Sequence, residues 1–251
     1  MAFHLIRKLE QFTRLSSDDK RILEQAASLK VRRLGSREDI FREGDKPRHI
    51  NLILDGWACR YKVLEDGRRQ ITALLIPGDL CDVHMFILTR MDHSVGAITP
   101  LSVAEIPTDT ILEITHGSAR LSRAFWWNSL VEEAIAREWV TNLGQREAIE
   151  RVAHLFCELF LRLRSVGMTN SQASCPSFEL PVTQEQLADA TGMSTVHVNR
   201  TIQEMRERGL IVWKGKTVTI PDLEALQDVA LFNANYLHLD HAGQAYDANE
   251  P

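Results

Sequence analysis

Four glycines, Gly44, Gly56, Gly67 and Gly78, recur every 11 or 12 residues, each closing a turn pair: Glu43-Gly44, Asp55-Gly56, Asp66-Gly67 and Pro77-Gly78. Between and after them lie short runs of β-type residues, "HINLIL", "WACRYKVL", "QITALLI" and "SVAEI". That rhythm belongs to antiparallel strands joined by tight turns, as in a meander, roll or sandwich. A jelly-roll-like β-roll over about residues 31–115 is the economical solution, because it limits exposed strand edges.

Helical patterns flank this block. Ahead of it come Leu5, Ile6 and Leu9, then "SSDDKRILEQAASL", where Ser16 or Ser17 caps a helix with an acidic first turn. Behind it, "SRAFWWNSLVEEAIAREWV" places Trp127, Val131 and Ile135 at i, i+4 and i+8, with Trp126, Leu130 and Ala134 as a second stripe. A helix apolar over so much of its circumference is buried on two sides. One side is read as packing within the chain and the other against the same helix of a second copy, about a two-fold axis. Trp127, Val131, Ala134 and Ile135 are the expected contact residues; a helix buried wholly within one chain is the alternative. "REAIERVAHLFCELFLRLRSVG" then makes an amphipathic helix in which His154 reads as a core or surface residue, and "MTNSQASCPSFE" reads as a polar loop.

In "LPVTQEQLADATG", Thr183 followed three residues later by Gln186 is a capping box, and Gly192 suits the left-handed position that ends a helix. Ser194 caps a second helix at once, so the two helices and their short turn form a helix-turn-helix. At 100° per residue, Val198, Ile202 and Met205 share the face that packs on Leu187. Val196, Asn199, Arg200 and Gln203 point the other way, with Thr195 and His197 flanking the start. That outward face has no acidic residue. Its Arg200 can reach O6 and N7 of guanine, Asn199 can pair with adenine or a phosphate, and Val196 offers only apolar contact. "GLIVWKGKTVTI" reads as a hairpin wing with Lys214 and Lys216 at its turn.

Charge supports a phosphate-facing element. The chain of 251 residues carries a formal net charge of -5, yet residues 194–216 hold five Lys and Arg against two Glu. A local basic patch on an acidic protein fits double-stranded DNA as the partner, through phosphate contacts from Thr183, Ser194, Lys214 and Lys216. No apolar run approaches the roughly 18 residues of a membrane span, and Arg7, Lys8 and Glu10 interrupt any signal-peptide core, so a soluble cytoplasmic protein is expected. Cys59, Cys81, Cys157 and Cys175 lie far apart with no Cys-x-x-Cys pair, which argues for reduced, buried thiols.

A β-roll, a long helix and a C-terminal winged helix-turn-helix in this order resemble the CRP/FNR family of bacterial transcription regulators. The resemblance spans about residues 12–225, carried by "TQEQLADATGMSTVHVNRTIQEMRERGLI" and more loosely by "DGRRQITALLIPGDL". It implies an α+β chain of four parts: N-terminal helices and sensor roll (1–117), dimerisation helix (118–145), winged helix-turn-helix (146–225) and a C-terminal extension (226–251). It also implies a homodimer on an inverted-repeat operator, with RNA polymerase as a partner and no enzymatic activity. The final stretch, "HAGQAYDANEP", has no counterpart and is expected to be a disordered tail.

The departures concern the effector. Cyclic-AMP-binding members carry a Gly-Glu pair after the Pro-Gly-Asp turn and an Arg-Ser pair that grips the cyclic phosphate. Here Asp82 and Val83 stand at the first pair, and His93 stands where the Arg would be, with Ser94 kept. A buried phosphodiester needs a permanent cation, whereas His93 is mostly neutral at pH 7 and Asp82 and Asp92 would repel the ligand. Arg90 is the nearest substitute cation. The expectation is an unknown small-molecule effector other than cyclic AMP, or none, with Asp82, Arg90, His93 and Ser94 as pocket candidates. The oxygen-sensing branch holds an iron–sulfur cluster on N-terminal cysteines, and the first cysteine here is Cys59, inside the roll. A haem- or metal-dependent gas or redox sensor built on Cys81, His84 and His93 is the alternative, but their spacing matches no ligand motif, so no cofactor or metal is assigned. Asp92, His93 and Ser94 are catalytic residue types, yet neighbours along a strand cannot face one another as a triad does.

Overall fold

The computed structural model describes residues 1–81, 83, 87–170 and 175–239. Asp82, His84 and the terminal "HAGQAYDANEP" lie outside the described residues. The chain opens with helices α1 (Phe3–Leu9) and α2 (Ser17–Ser28). Ser16, not Ser17, caps α2: its hydroxyl accepts the Asp19 N–H at 3.1 Å, and the Asp19 carboxylate accepts the Ser16 N–H at 2.9 Å.

Eight strands follow: β1 (Val31–Leu34), β2 (Asp39–Phe41), β3 (His49–Asp55), β4 (Ala58–Val63), β5 (Arg69–Leu75), β6 (Leu80–Cys81), β7 (Ser94–Ala97) and β8 (Leu101–Pro107). They form two four-stranded antiparallel sheets, β1-β8-β3-β6 and β2-β7-β4-β5, facing each other as a roll. The glycine turns are genuine. Gly56 has φ +85°, and a Cβ there would sit 2.3 Å from the Pro100 carbonyl oxygen, so no larger residue fits.

Helix α3 (Thr108–Gly117) caps the roll where the sequence pattern stops at strand "SVAEI", and Ser118 then caps the 27-residue α4 (Ala119–Gln145) by accepting the Leu121 N–H at 3.2 Å. After α5 (Ala148–Ser165) comes the winged unit: β9 (Thr169–Asn170), β10 (Ser177–Glu179), α6 (Gln184–Thr191), α7 (Thr195–Glu207), β11 (Val212–Lys214), β12 (Thr217–Thr219) and α8 (Leu223–Ala230). The stretch read as a polar loop supplies β9 and β10, which extend the wing into a four-stranded sheet, β11-β12-β10-β9. Strands of two and three residues carry no periodicity of their own; pairing of β10 with β12, and of β9 with β10, creates them. The expected boundary at 225/226 cuts through α8, whose Leu226 and Ala230 are fully buried, so the start of the extension belongs to the winged unit.

The α4 assignment needs a correction. Trp127, Val131, Ala134 and Ile135 are buried inside the single chain; Trp127, Val131 and Ile135 lie among Leu74 and Ile76 of the roll, α5 and the C-terminal extension. They are core residues and not a contact surface. The stripe left in solvent contains Trp126 and Leu130, each 60% exposed, and Val140, 71% exposed. Periodicity identified two apolar faces but could not say which one the roll covers.

Buried ionic contacts tie α5, the helix that leads into the winged unit, to the roll. Arg162 on α5 donates to Asp79 at 2.8 Å and to the Leu74 carbonyl at 3.0 Å, and Lys8 of α1 donates to Asp79 at 2.7 Å. Burial raises the Asp79 pKa, but Lys8, Arg162 and the Ile76 N–H outweigh it and hold the carboxyl below its usual range. His154 is wholly buried, and desolvation, with Arg146 nearby, pushes its pKa down to about 3, so it stays neutral.

Candidate nucleic-acid interface

The reading helix is built by local capping. Thr183 accepts the Gln186 N–H at 3.1 Å while the Gln186 side chain accepts the Thr183 N–H at 2.8 Å, starting α6. Gly192 ends α6 at φ 65°. Ser194 accepts the His197 N–H at 3.2 Å, starting α7 two residues later. Val198, Ile202 and Met205 are buried, as is Leu187 on α6, so the inward face of α7 is anchored.

The opposite face is open. Val196 is 80% exposed, and Thr195, Asn199, Arg200 and Gln203 are exposed with it, while His197 is half-buried at the rim. Among the described residues Arg200 has no ion pair; Glu204 is engaged by Arg208 at 3.5 Å. The guanidinium is therefore available to an outside acceptor. At the wing, the Trp213 indole donates to the Gly215 carbonyl at 3.1 Å and Arg206 donates to the Trp213 carbonyl at 3.1 Å. These bonds shape a tight turn, with Gly215 at φ +57°, that leaves Lys214 and Lys216 exposed on either side. Thr183 stands apart from this face: its hydroxyl is engaged in the cap, and it lines a cleft of about 520 Å³ between α6 and the roll, beside Arg37 and Tyr61.

The roll holds a hollow of about 580 Å³ against α4, lined by Arg60, Ile87, Asp92, His93, Glu132 and Glu133 among others. Of the three pocket candidates among the described residues, only His93 lines it, paired with Asp92 at 2.7 Å; that hydrogen bond, against some burial, keeps the Asp92 carboxyl below its usual pKa. Ser94 is 8% exposed and its hydroxyl accepts the Glu43 N–H at 2.9 Å, which ties β7 to the Glu43-Gly44 turn instead of facing the hollow. Arg90 is exposed and does not line it, and Asp82 lies outside the described residues. Arg60, missed from the sequence because it sits mid-strand on β4, is the cation among the described lining residues, 3.7 Å from Glu132.

Two family models match the chain: a cyclic nucleotide-binding domain over residues 31–117 and a Crp-like helix-turn-helix domain over residues 150–229. The transcriptional activator protein FnrL of Cereibacter sphaeroides is 27% identical over 226 residues, 90% of this chain and 89% of its own. The nitrogen fixation regulation protein FixK of Bradyrhizobium diazoefficiens is 29% identical, over 70% of this chain and 71% of its own. The structure of FixK2 from Bradyrhizobium japonicum superposes with a TM-score of 0.70 at 22% identity, covering 80% of this chain and 96% of that one. This chain belongs to the CRP/FNR family.

As a CRP/FNR regulator the protein binds DNA through its helix-turn-helix, and its relatives are regulators of transcription and not enzymes. Among the described residues the lining of the roll hollow is acidic, with Asp92, Glu132 and Glu133 beside Arg60. Among the described residues no three His, Cys, Asp or Glu side chains converge as a metal requires. Cys81 is buried in β6, His93 is paired to Asp92, and His84 lies outside the described residues. Cys59 and Cys157 are pushed up by burial to about 11 and about 12, which keeps them as thiols. No described helix is long and apolar enough to cross a membrane.

Proposed function

We propose that this CRP/FNR regulator acts as a cytoplasmic homodimer that reads an inverted-repeat operator, with α7 of each copy in the major groove. The observation that carries the reading is the exposed face of α7, where Val196, Asn199, Arg200 and Gln203 stand clear of the fold beside the Lys214–Lys216 wing. Thr195 and His197 at the helix start, with Ser194 at its cap, meet the phosphates that flank the read bases, while Thr183 faces the roll.

The dimer reading rests on α4. Trp126, Leu130, Glu133, Arg137, Val140 and Gly144 alternate at spacings of four and three residues, and the two hydrocarbon ends of this row are exposed. That is a heptad seam; Glu133 and Arg137, paired at 2.7 Å, break its apolar character at the centre. Two copies pairing along it would present two recognition helices about a two-fold axis.

The effector of this reading is not cyclic AMP. A cyclic phosphate entering the hollow would meet Asp92, Glu132 and Glu133, with Arg60 already facing Glu132. A neutral or cationic effector, or none, fits this lining, and RNA polymerase is the partner at the promoter. Footprinting on a selected inverted repeat tests the core of the proposal: two symmetric protected half-sites are expected, and protection of one asymmetric site overturns it.

A further inference from the structure

We propose that residues 231–239, which follow α8, form a strap that sets the angle between α4 and the winged unit, and thereby the half-site spacing the dimer accepts. Tyr236 and Leu237 are its positioning residues. This rests on the homodimer reading above.

Between α4 and α5 lie Arg146 and Glu147, both in extended conformation (φ -82°, ψ 143° and φ -65°, ψ 166°). Two extended residues between long helices make a pivot unless something spans them. The strap spans them, beside the Arg162–Asp79 and Arg69–Asp189 contacts that hold α5 and α6 to the roll. It lies beyond the matched Crp-like domain, which ends at residue 229. Leu231 turns the chain at φ 48°, and Phe232 and Tyr236 then pack on the buried His154 ring, with centroids 5.0 and 5.8 Å away.

The Tyr236 hydroxyl donates to Glu158 Oε2 at 3.1 Å, pinning the strap on α5. The same buried carboxylate accepts the Trp139 indole N–H of α4 at 3.2 and 3.1 Å, and Arg162 at 3.2 Å. One residue past Tyr236, the fully buried Leu237 reaches α4, where it borders a cavity of about 50 Å³ with Val131 and Ile135. At the pivot itself, Arg146 donates to Ala230, the last residue of α8, at 3.2 Å and to Glu138 of α4 at 2.7 Å.

The strap therefore leaves the winged unit, is fastened on α5, and ends on the helix that carries the dimer seam. Swinging the winged unit about Arg146 and Glu147 would draw Leu237 off α4 and part Trp139 from Glu158. With the seam fixed on the two-fold axis, that angle decides how far apart the recognition helices stand. Two linked reading heads bind together only at the spacing their geometry allows.

The test uses the full chain carrying Tyr236→Phe and Leu237→Ala, with binding measured to a single half-site and to inverted repeats whose spacer is altered by one or two base pairs. The unmodified protein is expected to lose about tenfold in affinity per displaced base pair, and the variant about threefold or less, at unchanged half-site affinity and unchanged guanine preference at Arg200. A variant as strict about spacing as the unmodified protein overturns the strap. An unmodified protein indifferent to spacing overturns the dimer reading instead. If the double variant loses its fold, Tyr236→Phe alone removes only the hydroxyl pin; it must widen the accepted spacing, and unchanged strictness overturns the proposal.

Discussion

Arg69 at the start of β5 holds Asp189 in the middle of α6, with both its Nε and Nη2 2.7 Å from one carboxylate oxygen. Gln70 adds a bond to the Asp189 carbonyl at 2.7 Å. The contact joins residues 120 positions apart and ties the sensor roll to the first helix of the helix-turn-helix. A double-mutant cycle on Arg69→Ala and Asp189→Ala, read by urea unfolding, should return a coupling of about 1–2 kcal/mol. Single effects that simply add would mean the two domains do not meet there in solution.

Charge placed on the two faces of α4 should have opposite consequences. Val131→Glu or Ile135→Glu buries a carboxylate in the core and should cost several kcal/mol, unfolding the chain. Leu130→Glu with Val140→Glu alters only exposed positions, so the fold should survive as a monomer. Circular dichroism with analytical ultracentrifugation separates the outcomes; a folded dimer carrying both exposed substitutions places the interface elsewhere.

Base preference should follow the face of α7. Arg200→Ala should cost about 1–3 kcal/mol at one guanine and relax selectivity there. Val196 cannot accept a hydrogen bond from cytosine N4, so the position it meets should be degenerate or favour thymine. Selection from a random duplex pool reads both effects. Strong cytosine selection opposite Val196 would contradict its exposed placement.

Removing Lys214 and Lys216 should weaken binding to all sequences alike. Each lost phosphate contact should lower the slope of log K against log salt by about 1. A change in base preference without a change in slope would put these lysines at the bases instead.

Acid should unfold the protein from about pH 4 downward. Asp79, Asp19 and Glu105 are each raised by burial but lowered further by their partners, so their folded pKa values lie below the unfolded ones. Their stabilisation is complete above the unfolded value and is lost as pH falls through the folded one. Glu158 runs the other way: burial raises it more than Arg162, Trp139 and Tyr236 lower it, so its contribution falls as pH rises through its folded value. Asp79→Asn should cost about 3 kcal/mol at pH 7 by removing the buried carboxylate that Lys8 and Arg162 share, and the gap to the unmodified protein should narrow at pH 3. An equal gap at both values would show that Asp79 is not ionised in the fold.

Most of the reading head was legible in the chain itself, because it is made by interactions three or four residues long. The Thr183–Gln186 box, the Ser194 cap, the left-handed Gly192 and the alternation of Val198, Ile202 and Met205 with Val196, Asn199 and Arg200 all appear where the pattern places them. The glycine-punctuated roll is local in the same sense at its turns, where Gly44, Gly56, Gly67 and Gly78 all take positive φ.

Where two elements meet, the tertiary structure decided. Trp126 and Trp127 are adjacent and chemically identical, yet one faces solvent and the other lies in the core, because the roll covers one side of α4 only. Ser94 is bound to the Glu43 N–H across 51 residues, and Arg60 reaches the hollow from the middle of β4. Short strand β10 exists through its partner β12 and β9 through β10, and the strap through Glu158 and α4. Helix caps and turns are encoded within a few residues of chain, whereas the choice of buried face depends on which distant surfaces meet, and sequence periodicity carries no information about that.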